Sequence, residues 1–274
     1  IFGKQLGDNE AYTSELLWTD NVNGIANGSN VKMIQTAGAG TKGYVLVLPG
    51  SSEGNAVIAI RNSNKDILWS WHVWTVGSTP KVSETGFMDR FLGATGDLSS
   101  AATMKCPGLR YQWGRKDPFP PAGNLTSIYN ASGGQAKIAK QTAMFSIQSA
   151  VRAPLCFIVN NDWVSPTNTG LWQESTKTVY DPCPSGWRVP ENIQKWNLAI
   201  ANWTRVMNTN EVSSSINGGC YPANGRLTDP DVAASEQKYG FVWVSQFANI
   251  AGGTQSIALI YNTTSSDYWP RSEE

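Results

Sequence analysis

Twelve tryptophans in 274 residues set the first constraint on this chain. Each indole has a large apolar face to remove from water and one N–H that needs an acceptor once buried. Two arrangements meet that demand. The rings serve as wedges in a core, or some form an exposed shelf on which a sugar or a protein stacks. The surrounding composition favours loops. Charged residues make up 15%, against roughly 25% in ordinary globular domains. Asn, Ser and Thr fill the gap together with 26 Gly and 14 Pro. Such a mixture suits many turns between short strands better than long Lys- and Glu-rich helices. The formal net charge is zero, so counterion release cannot gather phosphates and nucleic acid is not an expected partner.

Strand patterning dominates residues 1–80. Val31–Thr36 alternates, while Tyr44–Leu48 and Ala56–Ile60 are short apolar runs, and Pro49–Asn55 is a turn. The run ILWSWHVWTV, Ile67–Val76, is apolar on both faces, which predicts a strand covered on both sides. A soft boundary falls at Gly77–Pro80, separating a small all-β domain, 1–80, from an α+β domain, 81–274. In the second part Tyr111–Pro121, YQWGRKDPFPP, cannot form a regular helix because its prolines lack donors. It reads as an ordered loop pinned by Tyr111, Trp113 and Phe119. Gln148–Arg152 reads as a helical turn and Cys156–Val159 as a strand. Ile193, Trp196, Ile200, Trp203 and Met207 recur at helical spacing after Pro190. Phe241–Phe247 and Ser256–Tyr261 read as late strands.

Catalytic patterns are sparse. His72 is the sole histidine and sits between Trp71 and Val73, which points to a core imidazole. A two-histidine zinc site is therefore ruled out, and no GxSxG nucleophile elbow, P-loop or GxGxxG occurs. Asp89, Asp117, Asp162, Asp181 and Glu174 are scattered carboxylates, best read as loop caps. A glycosidase-type pair among them would leave no fixed spacing. Asn160, Asn161 and Asp162 offer oxygens of the kind calcium takes, but unlike an EF-hand, and no cofactor is expected. Four cysteines, Cys106, Cys156, Cys183 and Cys220, allow three complete pairings and contain no CxxC. An even count in a Lys-poor chain suits an oxidising compartment. No run of roughly 20 apolar residues is available to span a bilayer. The start at Ile1, without Met, suggests a mature or excised fragment whose targeting segment lies elsewhere.

Four segments resemble the C-terminal region common in predicted surface lipoproteins and fimbrillin-family proteins of Bacteroidetes. They are GNAVIAI (54–60), ILWSWHVW (67–74), MDRFLGAT (88–95) with YQWGRKDPFP (111–120), and YDPCPSGWRVP (180–190). GWRVP, GCYPANGR (219–226), FVWVSQ and IALIY are further similar to the Fibrobacter succinogenes major paralogous domain. The motifs span roughly residues 54–261. The resemblance implies a C-type-lectin-like, loop-rich α+β domain preceded by a small all-β domain, distantly similar to formylglycine-generating enzymes. It does not imply their activity, because their copper-binding cysteine pair has no counterpart here. The calcium–sugar motifs of carbohydrate-binding C-type lectins are missing as well. Departures at Cys106 and Cys156 imply a disulfide between them, and a second between Cys183 and Cys220.

Three functions follow as expectations. The first is a noncatalytic cell-surface or fimbria-associated adhesion module, extracytoplasmic and anchored at the outer membrane through a segment outside this chain. Its partners would be pilus or surface subunits, a host protein or a glycan. The second is a carbohydrate-binding module with Trp113, Arg115, Asp117 and Trp163 as its ligand face. The third is a cryptic hydrolase or oxidase. Trp69, Trp71, His72, Trp74, Trp187, Arg188 and Trp196 are expected to be structural. Arg115, Asp117, Asp181 and Arg188 also carry a reading as fold-locking residues.

Overall fold

The computed structural model describes residues 10–25, 30–35, 43–96, 108–120, 127–173, 175–192, 204–205, 212–214, 219–222, 225–230, 240–250, 253–261 and 266–271. Its architecture is mixed α+β, with several small sheets and very little helix.

The N-terminal strands are β1 (Thr13–Thr19), β2 (Val31–Gln35), β3 (Gly43–Val47), β4 (Gly54–Arg61) and β5 (Ile67–Thr75). Strands β2 and β3 pair antiparallel, and β1, β4 and β5 form an antiparallel sheet in the order β1-β4-β5. The apolar run GNAVIAI is the middle strand, buried from Gly54 through Ile60, as its lack of alternation dictates. Strand β1 escapes sequence reading because its register shifts between Leu16 and Trp18. That bulge places Leu16 in one core cluster with Ile58 and Val31, and Leu17 and Trp18 in another with Val57 and Ile67. Four consecutive residues, Leu16 through Thr19, are thereby buried, and the period of two disappears.

Strand β5 departs from expectation. It is an edge strand, and Trp71 remains 40% exposed. Loops from later in the chain cover much of it. The Lys116 ammonium donates to the Ser70 carbonyl at 2.9 Å, and the Ser70 hydroxyl donates to Asp117 at 2.6 Å. The first of these bonds satisfies a main-chain carbonyl of β5 with a side chain, and the second ties the same residue to the loop.

Strand β6 (Ala139–Gln141) pairs parallel with β7 (Cys156–Ile158), and the connection carries helix α1 (Ile147–Arg152). Ser146 caps the start of α1, its side chain accepting from the Ser149 N–H. Farther on lie β8 (Thr204–Arg205), β9 (Val212–Ser214) and β10 (Gly219–Cys220) in one small sheet. The expected helix of Ile193, Trp196, Ile200 and Trp203 lies outside the described residues. It does not continue toward Met207, since 204–205 is strand. An antiparallel sheet of β11 (Gly240–Ile250), β12 (Gly253–Tyr261) and β13 (Ser266–Arg271) closes the described chain.

The core draws on both sides of residue 80. Leu17, Trp18, Val57, Ala59 and Ile67 pack with Leu109, Ile128 and Ala136. A second cluster gathers Trp113, Trp163, Trp172, Leu171 and Val189, with Trp243 and Phe247 against it. At roughly 25 cal/mol per Å² of apolar surface and ~150–250 Å² per ring, each buried indole contributes several kcal/mol before entropy is counted. Five indole N–H groups also bind main-chain carbonyls: Trp74 to Ala94, Trp163 to Trp113, Trp172 to Tyr180 and Trp243 to Tyr111 in loops, and Trp113 to Val244 in the late strand 240–250. The indoles thus fix irregular backbone from inside.

Candidate functional site

The YQWGRKD loop positions both the interior scaffold and one wall of the site. Gly114 adopts a φ of +79°, which closes a turn from Gln112 to Arg115. Trp113 and Arg115 flank it. A side chain on Gly114 would meet Leu171 Cδ1 at 2.8 Å, so this position also needs glycine for space.

Trp113, Arg115, Asp117 and Trp163 do come together, but all four are buried and none offers a face to a ligand. Their polar groups are engaged inside the protein. Arg115 Nη1 donates to the Gln112 side chain at 3.1 Å and to the Cys156 carbonyl at 2.7 Å. Its Nη2 donates to the Ala153 carbonyl at 3.3 Å, just past the end of α1. A cation there satisfies carbonyls that the helix leaves open. Its guanidinium also lies 5.0 Å from the Phe119 ring centre and 5.6 Å from that of Trp163. Burial pulls the Arg115 pKa down to about 10, opposed by the charge of Asp117.

The neighbouring wall is more open. A cleft of about 550 Å³ runs beside β5, lined by Trp69, Trp71, Trp74 and Trp187 with Ser70, His72, Lys116 and Asp181. Val179 stands at its rim, 70% exposed. The four tryptophans were expected to be structural, and two of them are anchored: Trp74 by its bond to Ala94, Trp69 beneath the Lys116 ammonium at 4.5 Å. Trp71 is exposed and Trp187 half-buried. Neither indole N–H has a hydrogen bond among the described residues, which leaves two donors for a guest. The sequence signal for this cleft was the WSWHVW run itself. A run apolar on both faces predicts a strand covered on both sides, whereas Trp71 stays 40% exposed.

The polar groups of the cleft are held tightly. Lys116 donates to the Ser70 carbonyl, the Ser70 hydroxyl and Asp117 at 2.9, 2.5 and 2.7 Å. Burial lowers its pKa, and Asp117 opposes that shift. Asp181 accepts from Lys177 at 2.7 Å and from the N–H groups of Cys183 and Val189 at 2.9 and 3.0 Å. That carboxylate folds the YDPCPSGWRVP segment around itself and so places Trp187. His72 Nε2 lies 3.0 Å from the Asn55 side-chain oxygen, and burial depresses its pKa to about 4, against a smaller opposing effect of Asp117. The imidazole is neutral at ordinary pH.

A larger cavity of about 680 Å³ shares Met88, Leu92, Pro182, Cys183 and Trp187 with this cleft. Among the arginines that line it, Arg90 meets Asp89 and Arg188 meets Glu191. Arg188 differs from the fold-locking reading. Its side chain is 41% exposed, and a single exposed pair of this kind contributes about 0–1 kcal/mol.

Other candidates resolve into turn chemistry. Asp162 accepts from the Val164 N–H and the Thr167 hydroxyl, and Asn160 donates to the Thr142 carbonyl. Glu174 and Trp196 lie outside the described residues. Among the described residues no group of three or more His, Cys, Asp or Glu could hold a metal ion. Among the described residues Cys156, Cys183 and Cys220 form no disulfide with one another, so the expected Cys183–Cys220 bridge is not made in this structure. Cys183 is fixed in its loop by Asp181, and Cys220, at the end of β10, by a backbone bond to Asp89. Cys106, the expected partner of Cys156, lies outside the described residues. No helix among the described residues is long and apolar enough to cross a membrane. No known protein family, curated protein or solved structure matches the chain.

Proposed function

We propose that this protein is a noncatalytic adhesion module of an extracytoplasmic bacterial surface, and that its Trp-lined cleft binds a glycan. One observation carries the reading: four indoles converge on one solvent-reaching cleft beside β5, with Trp71 exposed and two indole N–H groups available. Pyranose rings present an apolar C–H face and an equatorial ring of hydroxyls. An indole matches both, through its apolar face and its polar N–H. The cleft also has the concave, mostly apolar form of a small-ligand site with few polar groups.

The noncatalytic reading is supported by the state of its carboxylates. Asp89, Asp117, Asp162 and Asp181 each hold a cation or a loop rather than facing one another across a reaction centre. The surface and fimbrial setting, and the C-type-lectin-like form of residues 81–274, rest on the motif resemblance. Pilus subunits or host surfaces carrying glycans are the corresponding partners.

The direct test is Trp71→Ala. Its ring is exposed on an edge strand, so thermal stability should hardly change. Glycan affinity, read by tryptophan fluorescence or calorimetry, should fall about tenfold or more, equivalent to about 1.4 kcal/mol. Full retention of glycan binding in that variant would remove the cleft from consideration.

A further inference from the structure

We infer that the guest of the cleft is an electrically neutral glycan segment, and that uronic, sialylated and sulfated sugars are rejected. The inference rests on the carbohydrate reading above and narrows it to a chemical class.

The argument is the charge state of the walls. An ammonium group has three protons to donate, and Lys116 places them on the Ser70 carbonyl, the Ser70 hydroxyl and Asp117. Its side chain is 8% exposed and its charge is matched by Asp117 beside it. Asp181 is equally committed. Both of its oxygens accept bonds, its charge is matched by Lys177, and its side chain is 1% exposed. The imidazole of His72, held against Asn55 and neutral above about pH 4, adds no charge. The remaining lining consists of indoles, Met88, Leu92, Cys183, Val76, Val179, prolines and hydroxyls, none of them ionised at neutral pH.

An acidic sugar entering this cleft would lose hydration from its anion and find no cation free to replace it. Desolvating an unpaired charge is the costliest form of polar burial. A neutral sugar gives up only hydroxyl hydration, and the Trp71 and Trp187 N–H groups return part of it. Selectivity therefore comes from a missing counterion rather than from a shaped contact. Binding should also be nearly independent of ionic strength, since no charge pair forms.

The experiment uses the full chain and two sets of probes matched in length. One set holds neutral gluco-, manno-, xylo- and chito-oligosaccharides, the other oligogalacturonates and sialylated or sulfated oligosaccharides. Affinities are measured by tryptophan fluorescence and calorimetry at low and high salt. The expected result is binding within the neutral set, at least about tenfold tighter than any acidic probe and unchanged by salt. Preference for an acidic probe, or affinity that collapses with salt, overturns this inference while leaving glycan binding intact. Failure of every probe in both sets overturns the carbohydrate reading itself. A gain-of-function variant closes the logic. Val179→Lys puts an unpaired cation on the exposed rim without touching a buried contact. It should raise acidic-probe affinity about threefold or more while leaving neutral probes unchanged. No gain for acidic probes in a folded Val179→Lys protein counts against the missing-counterion argument.

Discussion

A buried indole gains from its apolar faces and loses part of that gain if its N–H finds no acceptor, and this chain contains both outcomes. Trp113 is buried with its N–H on the Val244 carbonyl at 2.8 Å. Trp18 is equally buried, and its Nε1 has no hydrogen-bond partner among the described residues. Replacing each by Phe removes similar volume but different chemistry. Trp113→Phe should cost about 3–4 kcal/mol, because a cavity opens and the Val244 carbonyl loses its donor. Trp18→Phe should cost about 1–2 kcal/mol less, since an unsatisfied N–H leaves with the ring. Denaturant midpoints of the two variants decide it; equal losses would show that the hydrogen bond contributes nothing.

At the scale of the element, β5 is held at its outer edge by side chains from a loop and at its inner edge by β4. His72, opposite Val57 in that pairing, brings a titration into the sheet. In the folded protein its pKa is about 4, against an ordinary value of 6.5. Between those values the unfolded chain binds more protons. Stability from this group is therefore complete above about pH 6.5 and declines as pH falls toward 4. Because the ring is only partly buried, the loss should be about 2 kcal/mol rather than the full shift. Asp20, whose pKa is raised by burial, titrates with the opposite sign, so the comparison must isolate His72. Across pH 7 to 4 the melting temperature of the wild type should fall by more than that of His72→Gln, with the extra loss appearing below about pH 6.5. Parallel curves would rule out this assignment.

For the whole molecule, the thiols test the packing. Burial raises the pKa of both Cys156 and Cys183, that of Cys183 strongly, which keeps them protonated and poor nucleophiles. Denatured without reductant, the protein should yield alkylated Cys156, Cys183 and Cys220 in peptide mass spectra. A linked Cys183–Cys220 peptide would mean that the loops around Asp181 and Asp89 come together differently. The packing is otherwise dominated by contacts across long stretches of sequence, as when Trp113 reaches β11 and Tyr221 donates to the Met88 carbonyl at 2.6 Å.

Patterning alone was enough for the strands it could see. The runs at Val31, Tyr44, Ala56, Ile67, Cys156, Phe241 and Ser256 all became strands, and Gln148–Arg152 fell within α1. The prolines and Trp113 of the 111–121 loop likewise point to a nonhelical segment, and residues 111–120 contain no helix. Strand β1 was illegible because its bulge buries residues in succession, and β6 because Ala139–Gln141 has no apolar period to read. The cleft needed tertiary structure. Sequence marks an indole as something to be buried or shown, yet which one occurs depends on what packs against it. Asp117 and Lys116 arrive at Ser70 from more than forty residues away and cover that part of β5, while Trp71, one residue along, is left in the open. Local pattern fixes which backbone is extended. Long-range hydrogen bonds decide which aromatic faces remain for a guest.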